Sequence, residues 1–209
     1  MLELAALGPP ARVLDVGCGA AQTLRHMKLN RPAELLGVDT NVRALALGCR
    51  FARLENLPVT LATATAYALP FREDSFDLVF SRVALNYMHQ RRALTEIVRV
   101  LRPGGIIFCR AERIWHDFSL IVRSRTARSL VCRCRDFGYG MIQSLTGSQM
   151  MPGSRMRGGR AFATAHRLGQ ILRSLGCHVL RRTESPNCPM ILGHRTQLIV
   201  VARKEPGPV

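Results

Sequence analysis

The chain has 209 residues, enough for one domain with a buried core of its own. Hydrophobic residues make up 47% and charged residues 21%, a balance that excludes a disordered chain, a collagen and a disulfide-stapled miniprotein. The formal charge of +16 rests on 28 arginines and two lysines against 14 acids, so an anionic substrate, a nucleic acid or a membrane surface stands against a merely solvated arginine-rich face.

The start, MLELAALGPPAR, has no basic stretch ahead of a long apolar one, so no signal peptide is expected. No apolar run approaches the roughly 20 residues that span a bilayer. A cytoplasmic protein without a transmembrane segment is the expectation. ARVLDVG is an apolar, β-branched run that stops at glycine and reads as a buried strand. AAQTLRHMKLN follows as a helix, and AELLGVDT is a second strand ending on Asp39. NVRALALGCRFARLEN is a second helix with Thr40 or Asn41 as its cap. LPVTLATAT is a third strand, ALPFREDS a polar loop, and FDLVFSRVAL a fourth strand with its exit. RRALTEIVRVL is a helix whose apolar residues Leu94, Ile97, Val98 and Leu101 recur at helical spacing. RPGG reads as a turn and IIFCRAE as a fifth strand. Continuous apolar strands alternating with helices predict an α/β protein, a parallel sheet covered on both faces.

Regularity lapses from 113 to 160, where GYG, GSQ and PGSRMRGGR are loop-like. The stretch is too long for a simple connection. It is expected to be an inserted, loop-rich basic cap within a single domain spanning 1–209. Its net charge is +7, against +4 for residues 1–112 and +5 for 161–209. Met141, Met150, Met151 and Met156 could line an adaptable pocket or simply pack over the sheet. ATAHRLGQILRSLG is a helix ending at Gly176, and CHVLRRTE and QLIVVARK are two final strands. The seven cysteines are odd in number and form no paired CxxC motifs. They read as reduced thiols, Cys132 and Cys134 included, and no metal site is expected.

The informative stretch is Val13-Leu14-Asp15-Val16-Gly17-Cys18-Gly19, a strand running through two glycines into a helix. Glycine lets the backbone turn sharply and lets a ligand approach without a Cβ in the way. Open α/β sheets bind ligands at the carboxyl ends of their strands. Asp39 closes the next strand 22 positions after Gly17, where a carboxylate can accept both hydroxyls of a ribose. The pairing points to a nucleoside-containing cofactor. The dinucleotide fingerprint wants a third glycine, where Gln22 stands, and does not call for the acid that Asp15 places inside the first strand.

VLDVGCG, GVDT, ALPFREDSFDLVFSRVAL and VRVLRPGGIIF, in that order over residues 11–111, resemble the class I S-adenosylmethionine-dependent methyltransferases. Within them the chain is most similar to the group that includes the ubiquinone and menaquinone C-methyltransferases and many small-molecule methyltransferases. The resemblance implies a doubly wound, Rossmann-like, seven-stranded and mostly parallel sheet with the last strand antiparallel. It also implies S-adenosylmethionine as cofactor. Asp15, Gly17, Cys18 and Gly19 would then form the loop around its methionine part, with Asp15 supporting the ammonium group directly or through water. Asp39 would hold the ribose hydroxyls, with Thr40 beside the adenine. Ser81 and Arg82 would leave the fourth strand where backbone groups line the sulfonium side. Relatives usually place an Asp before the LPF segment to read the adenine amino group. Thr65 occupies that place here, followed by Ala66, so the contact falls to a hydroxyl or to the Ala66 backbone. Helices that often precede the first strand have no counterpart, or the chain as given is short. The structural alternatives are that Asp15 and Asp39 merely cap the helices that follow them.

A sulfonium methyl is already activated, so such an enzyme mostly aligns a nucleophile and excludes water. A general base is needed only if the acceptor is protonated. Tyr87, His89, His116 and Tyr139 are the candidates, the first two directly after the fourth strand. No [DNS]PP[YF] and no Pro-Cys follows that strand, which disfavours the known base-methylating arrangements. The expected acceptor is a small molecule. The alternatives are an RNA- or protein-directed enzyme docking through its arginines, with nucleic acid the less favoured partner, and a non-catalytic cofactor-binding module.

Overall fold

The structure, a computed structural model, describes residues 12–27, 34–146, 163–185, 188–191 and 193–206. Its main sheet is built from β1 (Arg12–Val16), β2 (Glu34–Asp39), β3 (Val59–Thr63), β4 (Phe76–Arg82), β5 (Leu101–Glu112), β6 (Cys177–Glu184) and β9 (Gln197–Lys204). A short hairpin, β7 (Met190–Ile191) with β8 (His194–Arg195), precedes the last strand. The sheet order is β3-β2-β1-β4-β5-β9-β6. The first five strands are parallel, and β9 runs antiparallel to both β5 and β6. The seven-stranded, mostly parallel arrangement expected from the resemblance is therefore present.

The strands read as unbroken apolar runs because both faces of the sheet are covered. Alternate residues divide between two layers. Leu14, Leu36, Val79 and Ile107 belong to one core, and their neighbours Val13, Leu35, Leu78 and Ile106 to the other. The first core lies under α3 (Gln90–Val100) and α6 (Ala165–Ser174), which bury Leu94, Ile97, Leu168 and Leu172. The second includes Leu24 of the single-turn α1 (Gln22–Arg25), much shorter than the expected first helix. Side-chain caps start the longer helices. Asn41 Oδ1 accepts from the Ala44 N–H at 3.1 Å to open α2 (Val42–Leu54), and Thr164 Oγ1 accepts from Arg167 at 3.1 Å to open α6. RPGG keeps the turn expected of it but lies within β5 rather than before it: Phe76 pairs with Leu101 and Leu78 with Ile106, so residues 102–105 stand opposite Asp77 alone, with Gly104 at φ +76° among them.

The expected loop-rich cap over 113–160 is corrected. It opens with α4 (Ile114–Val122) and α5 (Ala127–Thr146), so GYG lies inside a helix. Gly138 and Gly140 each cost about 1 kcal/mol in a helix. The alanine, leucine, methionine and arginine around them favour one, and α4 supplies a surface to pack on. Residues 147–162, with GSQ, PGSRMRGGR, Met150, Met151 and Met156, fall outside the described residues. No helix among the described residues is long and apolar enough to cross a membrane.

Candidate cofactor site

The site is built where β1 and β4 part company. Beyond β1 the chain returns toward β2, and beyond β4 it crosses to β5, so a crevice opens at the carboxyl ends of the two strands. The glycine loop is tied down at the head of this crevice. Gly17 N–H and Cys18 N–H donate to the Val38 carbonyl at 2.8 and 3.1 Å. Gly19 N–H donates to Asp39 Oδ2 at 2.8 Å. Both glycines have positive φ, +77° at Gly17 and +54° at Gly19. Among the described residues nothing lies within 4 Å of where a Gly19 Cβ would project, so bare peptide faces open space there. A Gly17 Cβ would stand 2.3 Å from the Ala84 Cβ, because the exit of β4 folds directly over the loop.

Two glycines outside the motif support this placement, and sequence reasoning did not single them out. A Cβ on Gly37 of β2 would meet the Cys18 sulfur at 2.8 Å, and one on Gly48 of α2 would meet the Ala20 backbone at 3.0 Å. Cys18 is thus packed under β2, and burial pushes its thiol up to about 12. The signal available in the sequence was only that glycine stood within a strand and within a helix, both unfavourable positions without a reason.

Asp15 is 1% exposed, and among the described residues neither carboxylate oxygen has a partner within hydrogen-bond distance. It does not cap the following helix, since the N-cap of α1 is Ala21 and no side chain caps it. Burial pushes its pKa up to about 6, while the neighbouring Thr23 side chain and Arg82 charge draw it down and Asp39 pushes it further up. A buried carboxyl left without partners is costly and rare, and a cation arriving from outside is the natural remedy. Asp39 accepts from Gly19 N–H through one oxygen and from Asn41 N–H through the other, both at 2.8 Å. It therefore does brace the start of α2, although Asn41 is the cap. A carboxylate has about four acceptor positions, so two hydroxyls can still be accommodated. An ammonium against Asp15, a ribose against Asp39 and an open peptide at Gly19 fit S-adenosylmethionine.

The remaining expected residues lie around the same rim. Ser81 is fully buried with its hydroxyl unpartnered, and Arg82 beside it is exposed. Thr40 is exposed at the end of β2. The Thr65 hydroxyl accepts from Tyr67 N–H at 3.3 Å, and Ala66 is buried. Val83 adopts a left-handed φ of 67°, costly for a β-branched residue, and turns the chain into a 3-10 segment over Ala84–Tyr87. Tyr87 is 44% exposed there. His89 is an N-cap, its Nδ1 accepting from Arg92 N–H at 3.4 Å to open α3. The Tyr139 side chain lies outside the described residues.

One group was not anticipated as a unit. Asn86 is buried and clamps the end of β5, donating to the Glu112 carbonyl and accepting from Glu112 N–H, both at 2.8 Å. The Glu112 carboxylate, at the end of β5, faces His116 Nε2 in the first turn of α4 at 3.3 Å. The 3-10 segment thus bridges Gly17 at one end and the Glu112–His116 pair at the other.

A family described as a methyltransferase domain matches residues 14–109. Demethylmenaquinone methyltransferase of Thermus thermophilus is 36% identical over 106 residues, covering 50% of this chain and 48% of that protein. Phthiotriol/phenolphthiotriol dimycocerosates methyltransferase 1 of Mycobacterium ulcerans is 39% identical over 99 residues, 46% of this chain and 35% of that one. The chain spans about half the length of these relatives or less. An S-adenosylmethionine-dependent methyltransferase from Mesorhizobium loti shares the fold, with a TM-score of 0.64 and 21% identity over 97% of this chain and 96% of that one. Residues 14–109 thus match a methyltransferase domain, and the chain has the fold of a solved S-adenosylmethionine-dependent methyltransferase.

Proposed function

We propose that the chain transfers the methyl group of S-adenosylmethionine to a small-molecule acceptor by in-line displacement. The observation that carries this is the buried, partnerless Asp15 carboxylate beside an open glycine loop, with Asp39 at the same rim. When bound, S-adenosylmethionine supplies a methyl group already activated by its sulfonium charge. The chain's own work is to hold and orient: Asp15 on the ammonium, Asp39 on the ribose, Gly17, Cys18 and Gly19 along the methionine part. Thr40, Thr65 and Ala66 flank the adenine side, and Ser81 and Arg82 the sulfonium side. The printed names of the relatives speak for a small-molecule acceptor.

If the acceptor carries a proton, His116 is better equipped to take it than His89, whose ring nitrogen serves α3. Glu112 orients His116 as a base is oriented in other enzymes. Tyr87, exposed on the 3-10 segment, is the other group able to reach an acceptor. In this reading α4 and α5, the described part of the segment 113–160, lie over the acceptor side of a single domain. A reducing, cytoplasmic setting belongs to the same proposal, supported by seven free cysteines.

Titration calorimetry with S-adenosylmethionine and its demethylated product tests the site. Asp39→Ala is expected to lose about 1.5–3 kcal/mol of binding, roughly 10- to 150-fold in affinity. Unchanged affinity would remove Asp39 from the site. Binding without transfer to any of a panel of quinols and phenols would favour a non-catalytic module instead.

A further inference from the structure

We propose that the outer face of α5 is a docking surface for an anionic lipid bilayer. The less exposed positions of α5 are Ser129, Cys132, Arg133, Asp136, Phe137, Gly138 and Gly140; of these Ser129, Arg133, Asp136 and Gly140 share one face, from which Arg133 donates to the Leu120 carbonyl of α4. At 100° per residue, Leu130, Val131, Cys134, Met141 and Ile142 share an arc of about 120° on the opposite side. Leu130 is 42% exposed, Val131 67%, Met141 38% and Ile142 42%, with Val122 at the end of α4 at 67%. These are five of the 11 large hydrophobic residues exposed among the described residues, so the apolar surface is gathered here rather than scattered. Leu130 and Met141 lie three turns apart, about 16 Å along the axis, so the apolar strip runs along most of the helix.

The charge beside the strip identifies the partner. Arg128 and Arg135 fall on one flank of it, and Arg123 and Arg125 lie in the turn between α4 and α5. All four are exposed, and none of Arg123, Arg125 and Arg128 takes part in an ion pair among the described residues. Aliphatic side chains flanked by arginines match the boundary between anionic headgroups and acyl chains. RNA would engage the arginines but offers no apolar phase for Val131 and Met141, and the strip presents no row of stacking aromatics. A second copy would bring an equal charge of +16 against the same arginines. α4 leaves β5 at the carboxyl rim, the same edge of the sheet as the glycine loop, and α5 packs on α4.

The test is co-sedimentation of the full chain with vesicles of phosphatidylcholine alone or with phosphatidylglycerol as a third of the lipid. Binding is expected to the anionic vesicles only, and to weaken about tenfold or more as salt rises through physiological strength. Val131→Glu with Met141→Glu should weaken it about tenfold or more, and Arg128→Glu should weaken it too. Circular dichroism and S-adenosylmethionine titration should be unchanged, so failure here is distinguishable from failure of the cofactor reading. Absence of binding to anionic vesicles would overturn the proposal, as would wild-type binding by the double variant. So would loss of helicity in that variant or a change in its oligomeric state, since the chain itself or a second copy would then cover the face. Retention of the double variant on RNA, with vesicle binding equally retained, would assign the arginines to nucleic acid and overturn it as well.

Discussion

Gly17→Ala is expected to destabilise the protein by about 2–4 kcal/mol and to abolish S-adenosylmethionine binding at concentrations that saturate the wild type. About 1 kcal/mol comes from forcing a side chain into the left-handed region at φ +77°. A further 1–3 kcal/mol comes from overpacking, because the new methyl would stand 2.3 Å from the Ala84 Cβ. Ala84 sits in the 3-10 segment held by the Asn86 clamp, so it cannot step aside without disturbing β5. Urea unfolding reads the first effect and calorimetry the second. Two controls isolate the cause. Gly17→Ala with Ala84→Gly should recover the steric share and leave the backbone share. Gly19→Ala meets nothing within 4 Å, so it should cost only about 1 kcal/mol of stability while still weakening binding. A Gly17→Ala protein as stable as the wild type would mean that the β4 exit does not close over the loop.

Asp15 makes the stability of the unliganded protein depend on pH in an unusual direction. Its folded pKa of about 6 lies above the ordinary 3.8, so the native state prefers the neutral acid. The stability this group contributes is fully present below about pH 4 and is lost as pH rises through about 6. The loss is on the order of 3 kcal/mol, from roughly two pKa units at 1.36 kcal/mol each. Asp15→Asn should therefore stabilise the unliganded protein at pH 7 but not at pH 4, narrowing the dependence on pH in between. Binding runs the other way. A cofactor ammonium against Asp15 favours the charged form, so affinity should fall as pH drops below about 6, with a proton released on binding there. Asp15→Asn should lose at least tenfold in affinity at pH 7.5 and most of that pH dependence. Urea melts from pH 4 to 8 with and without S-adenosylmethionine measure both. Equal pH profiles for wild type and variant would show that Asp15 is not the buried acid described.

The elements that sequence reading located well are those whose signal is local and redundant. β1, β2 and β4 are short apolar runs closed by glycine, acid or arginine, and α3 carries Leu94, Ile97 and Val98 at helical spacing. Where two local signals conflict, reading by pattern misleads. Gly138 and Gly140 suggested a loop, yet α5 continues through them because it packs on α4. RPGG carries the residues of a turn and makes one, but β4 pairs with β5 on both sides of it and so places it inside the strand. His89 looked available for chemistry because nothing in its neighbours reveals that its ring caps a helix.

The chain's one-dimensional pattern determined the parallel sheet, the glycine loop and the two acids at the ends of adjacent strands, because strand period, glycine and spacing act over a few residues. Only the folded molecule decided what surrounds them. Asp15 is stripped of partners, Ala84 presses on Gly17, Asp39 grips Gly19, and Asn86 joins the β4 exit to Glu112 and so to His116. The physical reason is range. Each of these relations except the last joins groups about 20 or more residues apart in sequence, or depends on what burial takes away, and neither is written in a residue's immediate neighbours.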